Sequence, residues 1–321
     1  MSLEPTPTNE QEWKVISQLV TSIQREQKSA RRWGIFFKSL SFVFVFAVLA
    51  MLVSDDDVGA MAESQDHVAV VDVFGPIMAG AEASADHLLP ALSEAFEAAN
   101  SKAVLLNINS PGGSPVQAGI VFDELQLMKL QYPNKPVYAV IADVGASGAY
   151  YIAAAADFIY ADKASTVGSI GVIGSGFGFD QLIEKLGVER RTYTAGGNKD
   201  FLDPFLPEKA VHKAMFQGLL DDIHGQFISQ VELGRGDRLS DDPALYSGAV
   251  WHGHKALELG LIDGLGNLHS VVRDQIGVSK KVWYAPTKTP LEQVIDELGA
   301  QTQSSISWGL SQTLNRPLQL H

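Results

Sequence analysis

The chain has 321 residues, 46% hydrophobic and 19% charged, enough apolar material for a sizeable core and too little charge for a disordered chain. Its net charge of -13, with no basic stripe, argues against nucleic acid as a partner. Cysteine is absent, which rules out disulfides, Cys-ligated zinc, iron–sulfur clusters and a thiol nucleophile.

Residues 1–33 are polar and end in a basic cluster, Arg25, Lys28, Arg31 and Arg32. The nearly apolar run Trp33–Val53 follows, then Asp55, Asp56 and Asp57. Twenty-one residues at about 1.5 Å each span roughly 31 Å, close to a bilayer core. The run therefore predicts a transmembrane anchor over 34–53, with residues 1–33 cytoplasmic because of their basic flank. A cleaved signal peptide, with its apolar region at Ser39–Val53 and small-residue sites near Ala60 or Ala62, is the rival reading. A buried soluble helix is the third.

Residues 54–66 read as a linker and 67–286 as the main folded domain, with 287–321 a weakly patterned tail. His67–Met78 is β-branched and apolar, so a strand is expected. Ser84–Asn100 has helical periodicity. Lys102–Ile108 is a buried strand that runs into the turn Asn109–Gly113, and Gln117–Leu130 is a helix. Pro136–Ala142 is a third buried strand, followed by an Ala-rich helix over Gly145–Ala156. Phe158–Ala161 reads as a short strand, Val167–Gly178 as a Gly-rich extended segment and Val188–Thr194 as another strand. Leu206–Gly234 is a long amphipathic helix and Ala256–Leu261 a shorter one. Continuously apolar strands alternating with helices predict a mainly parallel α/β sheet covered by helices.

Sites in such sheets lie beyond the carboxyl ends of the strands. Two ends stand out: Asn109–Ser114, and Asp143–Gly148, which leads straight into a helix. A hydroxyl at Ser147 would sit near a helix N-terminus, where free N–H groups favour a developing oxyanion. Gly148 beside it allows a substrate backbone to come close, and Gly112 and Gly113 could offer an N–H to the same spot. Glycine-rich strand–helix turns also serve simply as tight turns. The hydrolase signature G-x-S-x-G does not occur. Eight histidines are present, and His252 and His254 form H-x-H, but no third metal ligand is evident nearby; an exposed His is the better reading for most of them. Lys199, after Thr194–Asn198, is the other base to weigh, although most lysines are solvated charges. Acting at neutral pH would require its ammonium to be desolvated.

Taken together, NSPGGS at 109–114, ADVGASGAYYIAAAAD at 142–157, STVGSIGVIG at 165–174, AGGNKDFLDPF at 195–205, LLDDIHGQF at 219–227 and GAVWHGHKALELGLIDGLG at 248–266 resemble the signal peptide peptidase A (protease IV) family of membrane-bound serine proteases. The motifs run in the family's order over about 67–270. The resemblance implies a ClpP/crotonase-like α/β fold, a Ser/Lys dyad with Ser147 as nucleophile and Lys199 as general base, and oxyanion-hole amides from Gly113 and Gly148. It implies that the Ser169 hydroxyl helps orient the lysine amine. It implies no cofactor and no metal, and hydrophobic peptide substrates such as signal-peptide remnants. It also implies a homo-oligomeric ring, an octamer in the short form of the family, with each site completed by a neighbouring protomer. The basic-in, acidic-out arrangement around 33–57 points to a bacterial inner membrane with the following domain in the periplasm, and an outward-facing domain of a Gram-positive or archaeal cell would read alike. Two positions depart from the family's habit: Ala149 follows Gly148 where a second glycine is common, and Asn198 stands where an aromatic residue often precedes the lysine. The rival functions are an inactive peptide-binding scaffold of the same fold, an acyl-CoA enzyme, which would need a basic phosphate grip that the exported part lacks, and a ClpP-like cytosolic ring, which the anchor argues against.

Overall fold

The computed structural model describes residues 14, 21, 28, 31–46 and 65–285. The chain divides into two units, Met1–Met61 and Ala62–His321. In the first, residues 31–46 are helical, and the helix carries exposed Trp33, Phe36, Phe37, Phe42, Phe44 and Phe46. Its described length is about 24 Å. Among the described residues no helix is long and apolar enough to cross a membrane. The rest of the expected anchor, 47–53, and the tail 287–321 lie outside the described residues.

The second unit is built on one sheet of eight strands. In chain order these are β1 (His67–Phe74), β2 (Ser101–Ser110), β3 (Val137–Ala146), β4 (Phe158–Ala161), β5 (Thr166–Gly168), β6 (Val250–His252), β7 (Gly264–Leu265) and β8 (Lys281–Trp283). The main path runs β6-β5-β3-β2-β1-β8, with β4 paired to β3 and β7. Every pairing is parallel except β5 with β6. The mainly parallel α/β architecture expected from the apolar runs is present.

The strands are apolar on both faces because both faces are covered. Ala69, Val71, Val73, Val104, Leu106 and Ile108 enter one core with helices α1 (Ala85–Glu97), α2 (Pro115–Gln131) and α3 (Gly148–Ala153). Their alternates Val68, Val70 and Leu105 enter a second, smaller core with Val271 and Val272. Burial on two faces removes the polar alternation of a half-exposed strand. The remaining helices are α4 (Asp180–Lys185), α5 (Ala210–Arg235), α6 (Gly253–Glu258) and α7 (Leu268–Val271).

Several boundaries depart from the sequence expectation. β1 stops at Phe74 rather than Met78, because Gly75 turns the chain at φ +74° and Ile77 returns only as an isolated bridge to Gly113. The helix expected from Gly145 begins at Gly148. β3 continues to Ala146 because Val144–Ala146 gain a second partner in β5. No strand forms over 188–194: that segment pairs with no strand of the sheet, and Tyr193 is 92% exposed. A β-branched segment without a partner has no ladder to join. The short α4 and the strands β6–β8 were not legible in the sequence.

One clamp fixes α5 to the sheet. Arg235, fully buried at its C-terminus, donates to both carboxylate oxygens of Asp263 at 2.8 and 2.9 Å and to the carbonyl of Gly260. Asp263 also accepts from the amide of Ile159 on β4. Burial alone would push the Asp263 carboxyl up, but the Arg235 guanidinium and that amide hold it below the usual carboxylate range. One residue earlier, a Cβ on Gly234 would lie 1.9 Å from the carbonyl oxygen of Ala154. Only glycine lets α5 pass this close to the end of α3.

Candidate active site

Ser147 sits between the end of β3 and the start of α3 with φ +55° and ψ -125°. This region favours glycine, and a serine held there costs about 1–3 kcal/mol. The surroundings impose the conformation. The Ser147 amide donates to the carbonyl of Gly168 at 2.8 Å, and its carbonyl accepts from Tyr151 at 3.0 Å. All six residues of α3 are buried, so the helix cannot shift to relieve the turn. Ala149, where a second glycine is common in the family, is wholly buried among them; its methyl is part of the core packing.

The loop after β2 comes up beside this turn. Gly112, at φ +94°, approaches so closely that a Cβ there would lie 2.7 Å from both the Ser147 Cβ and the Gly148 nitrogen. Gly113 is held by the chain pairing at Ile77, whose amide donates to Gly112 and whose carbonyl accepts from Ser114. A Cβ on Gly148 would lie 3.3 Å from the Gly113 nitrogen, so the two amide-bearing residues are neighbours. Among the described residues neither amide donates to a backbone carbonyl. Ser114 then caps α2, accepting from the Gln117 amide.

Ser147, Gly113, Gly148 and Ser169 all line one cavity of about 510 Å³. Ser169 is itself at φ +53°. Tyr151, Val172, Ile173, Leu220, Ile223 and Phe227 supply apolar wall. Tyr151 stacks on Phe227 with ring centroids 4.9 Å apart. Burial, with a further contribution from Asp123, pushes the Tyr151 phenol above its ordinary value, so it stays neutral. Four of the five expected site residues thus meet within one chain.

Lys199 is not among the residues that line this cavity. It is exposed on a turn, with its amide donating to the carbonyl of Gly196. Its ammonium pairs with no carboxylate among the described residues. The next residue, Asp200, is anchored by the Lys209 ammonium at 2.5 Å, and that hydrogen bond holds its carboxyl below the usual range. The turn is thus tied to the start of α5, while the lysine itself is left outside.

Sequence reasoning passed over His224, which also lines the Ser147 cavity. It falls within the string LLDDIHGQF at 219–227, and its place on α5 three residues before buried Phe227 is a further signal that it faces inward. His252, half of the H-x-H string, caps α6, its ring accepting from the Lys255 amide.

Residues 129–281 match peptidase family S49. A protein of Synechocystis sp. named "Putative protease slr0021" is 34% identical over 202 residues, which span 62% of this chain and 69% of that protein. The chain belongs to peptidase family S49, the signal peptide peptidase A family of serine peptidases. The chloroplastic serine protease SPPA of Arabidopsis thaliana is 30% identical over 252 residues, 75% of this chain and 36% of that protein. A Brucella abortus protein named "Na(+)/H(+) antiporter NhaA" is 43% identical over 223 residues, 68% of this chain but 30% of that protein. The chain therefore spans under a third of the length of that relative. The S49 match begins within α2 and ends in β8, so it takes in Ser147, Gly148, Ser169 and Lys199 but not Gly113.

Proposed function

We propose that this S49 peptidase is a membrane-anchored serine endopeptidase that cleaves hydrophobic peptides with a Ser147/Lys199 dyad. The observation that carries the reading is the strained Ser147 turn, which faces the same cavity as the amides of Gly113 and Gly148. A strained strand-to-helix turn is how a serine nucleophile is presented, and two unspent amides beside it are what an oxyanion needs.

In the proposed reaction neutral Lys199 accepts the Ser147 hydroxyl proton as Oγ bonds to the substrate carbonyl carbon. The amides of Gly113 and Gly148 bind the resulting oxyanion, each worth about 3–4 kcal/mol in the transition state. The carbon–nitrogen bond breaks as the lysine ammonium returns the proton to the leaving amine. Water, activated by Lys199, then releases the acyl group and restores Ser147. The Ser169 hydroxyl orients the lysine amine. Aromatic and aliphatic walls around Ser147 suit apolar substrate side chains, signal-peptide remnants among them.

Because Lys199 does not line the Ser147 cavity of its own chain, the reading includes a homo-oligomeric ring, of eight as in the short form of the family, in which a neighbouring protomer supplies the lysine. The apolar surface of 172–205, with Ile173 88% and Phe177 79% exposed, suits such an interface. The apolar run Trp33–Val53 anchors the ring in a bacterial inner membrane, its catalytic domains outside the cytoplasm.

The test is labelling with a fluorophosphonate or boronate probe across pH, with the modified peptide mapped by mass spectrometry. The expected result is labelling at Ser147 that Ser147→Ala and Lys199→Ala both abolish. No labelling of folded, assembled wild type would point instead to a peptide-binding scaffold.

A further inference from the structure

The cavity around Ser147 takes in one imidazole, that of His224 on α5, which the dyad does not use. Its Nε2 lies 3.1 Å from the carbonyl oxygen of Ile170. A carbonyl can only accept, so Nε2 carries a proton and donates it. That nitrogen is occupied by Ile170 and is not free to take the Ser147 proton.

Ile170 ends a three-residue stretch whose every member is tied down. The carbonyl of Gly168 accepts from the Ser147 amide at 2.8 Å. The amide of Ser169 donates to Ala249 at 2.7 Å, and the carbonyl of Ile170 accepts from Gly248 at 3.1 Å as well as from His224. Ser147 and Ser169, on either side of the Gly168 link, are both non-glycine residues at positive φ. Such conformations persist only where the surroundings over-determine them. Among these ties His224 is the one made by a side chain, and it comes from a helix that the Arg235–Asp263 clamp holds to the sheet.

We propose that His224 is a positioning residue for the hydrolysis: by fixing the Ile170 carbonyl it holds Gly168 and Ser169 in place, and through them the Ser147 turn and its oxyanion amides. The proposal rests on Ser147 being the nucleophile. The role does not depend on the charge of the ring, since the neutral Nε2–H tautomer and the imidazolium both donate from Nε2. Of the ionisable groups that line the cavity with it, Asp221 on α5 is engaged by Gln217 at 2.8 Å and Tyr151 on α3 stays neutral, while the segments 168–173 and 247–248 carry none.

The full-length assembled protein would be assayed as wild type, His224→Gln, His224→Phe and His224→Ala. Glutamine places an amide donor near the position of Nε2. His224→Gln should keep kcat within about threefold and leave the pH–kcat profile unmoved. His224→Phe should lose at least about tenfold in kcat, the effect of about one hydrogen bond, with KM changed less than twofold. Probe labelling at Ser147 should slow in parallel, and free imidazole should restore part of the rate of His224→Ala. That last variant keeps the question open to measurement if phenylalanine disturbs folding. Wild-type kcat in His224→Phe would overturn the proposal. So would equal losses in the Gln and Phe variants with unchanged Tm. Loss of activity in His224→Gln, with a pH–kcat profile that no longer falls on its acid side, would make His224 the base and overturn it too. Ser147→Ala and Lys199→Ala run alongside: if they stay active the dyad reading fails, whereas if they are dead and His224→Phe is normal, only the positioning role fails.

Discussion

All six residues of α3, which follows Ser147, are buried, and none of the six in α4 is. The two helices stand for two halves of the proposed chemistry. The nucleophile half is built from β2, β3 and α3, whose backbone is fixed by sheet pairing and by a core with Ile141, Ala149 and Ile152 at zero exposure. The base half, 172–209, carries its apolar side chains outward, Tyr193 at 92% and Leu186 at 68%. One half of a site can be fixed by the chain that carries it; in the proposed ring the other half would take its final surroundings from a second copy. The difference explains how strain can be held at Ser147 while Lys199 lies open to water, where a lysine is a poor base.

The sharpest break of this comparison is between the two dyad variants. Ser147→Ala and Lys199→Ala should each reduce peptidase activity by at least about a thousandfold, measured on an apolar peptide substrate. Lys199→Ala should leave Tm unchanged, since the side chain is exposed and unpaired among the described residues. Lys199→Arg should not rescue, because arginine stays protonated and cannot serve as a base.

Next in size is the clamp under the buried half. Asp263→Asn strands the buried guanidinium of Arg235 and should destabilise the domain by about 3–5 kcal/mol in denaturant unfolding. The Asp263 carboxyl titrates below its ordinary value in the folded protein. Its contribution is therefore complete above the unfolded carboxylate range, about pH 4, and fades as pH falls through the lower folded value. The variant should lose that acid dependence of stability.

Gly113→Ala tests the oxyanion loop. The added Cβ would lie 2.1 Å from the carbonyl oxygen of Ile77, so the loop must move and carry its amide away. A loss of about a hundredfold to a thousandfold in kcat is expected, with a smaller change in Tm than for Asp263→Asn. The smallest effect on chemistry should come from removing residues 1–57. Activity on a soluble peptide should change less than about twofold, while the protein moves from the membrane pellet to the supernatant.

The sequence carried the buried half well for a physical reason. Strands such as Val104–Ile108 and Val137–Ile141 announce themselves by continuous apolarity, and glycines at 112, 113 and 148 mark where backbones crowd. It carried the exposed half poorly. Val188–Thr194 has strand-like residues but no strand to pair with, and its β-branched content says nothing about partners. Lys199 stands out only through its motif, and nothing in its surroundings within the chain marks it. The place of His224 beside Ser147 was not legible because it shows in one hydrogen bond to Ile170, fifty-four positions earlier, which no local pattern records. The positive φ of Ser147 and Ser169 was equally invisible, since serine is not the residue that marks such a turn.

The central claim is that a nucleophile fixed by one chain works with a lysine from the next. Its most direct test is to co-assemble Ser147→Ala with Lys199→Ala in equal amounts and assay the mixture. Neither variant alone should cut, while mixed rings should recover up to about a quarter of wild-type activity, because that fraction of interfaces joins an intact serine to an intact lysine. Mixed assemblies that stay inactive, with both variants folded and incorporated, would contradict the account.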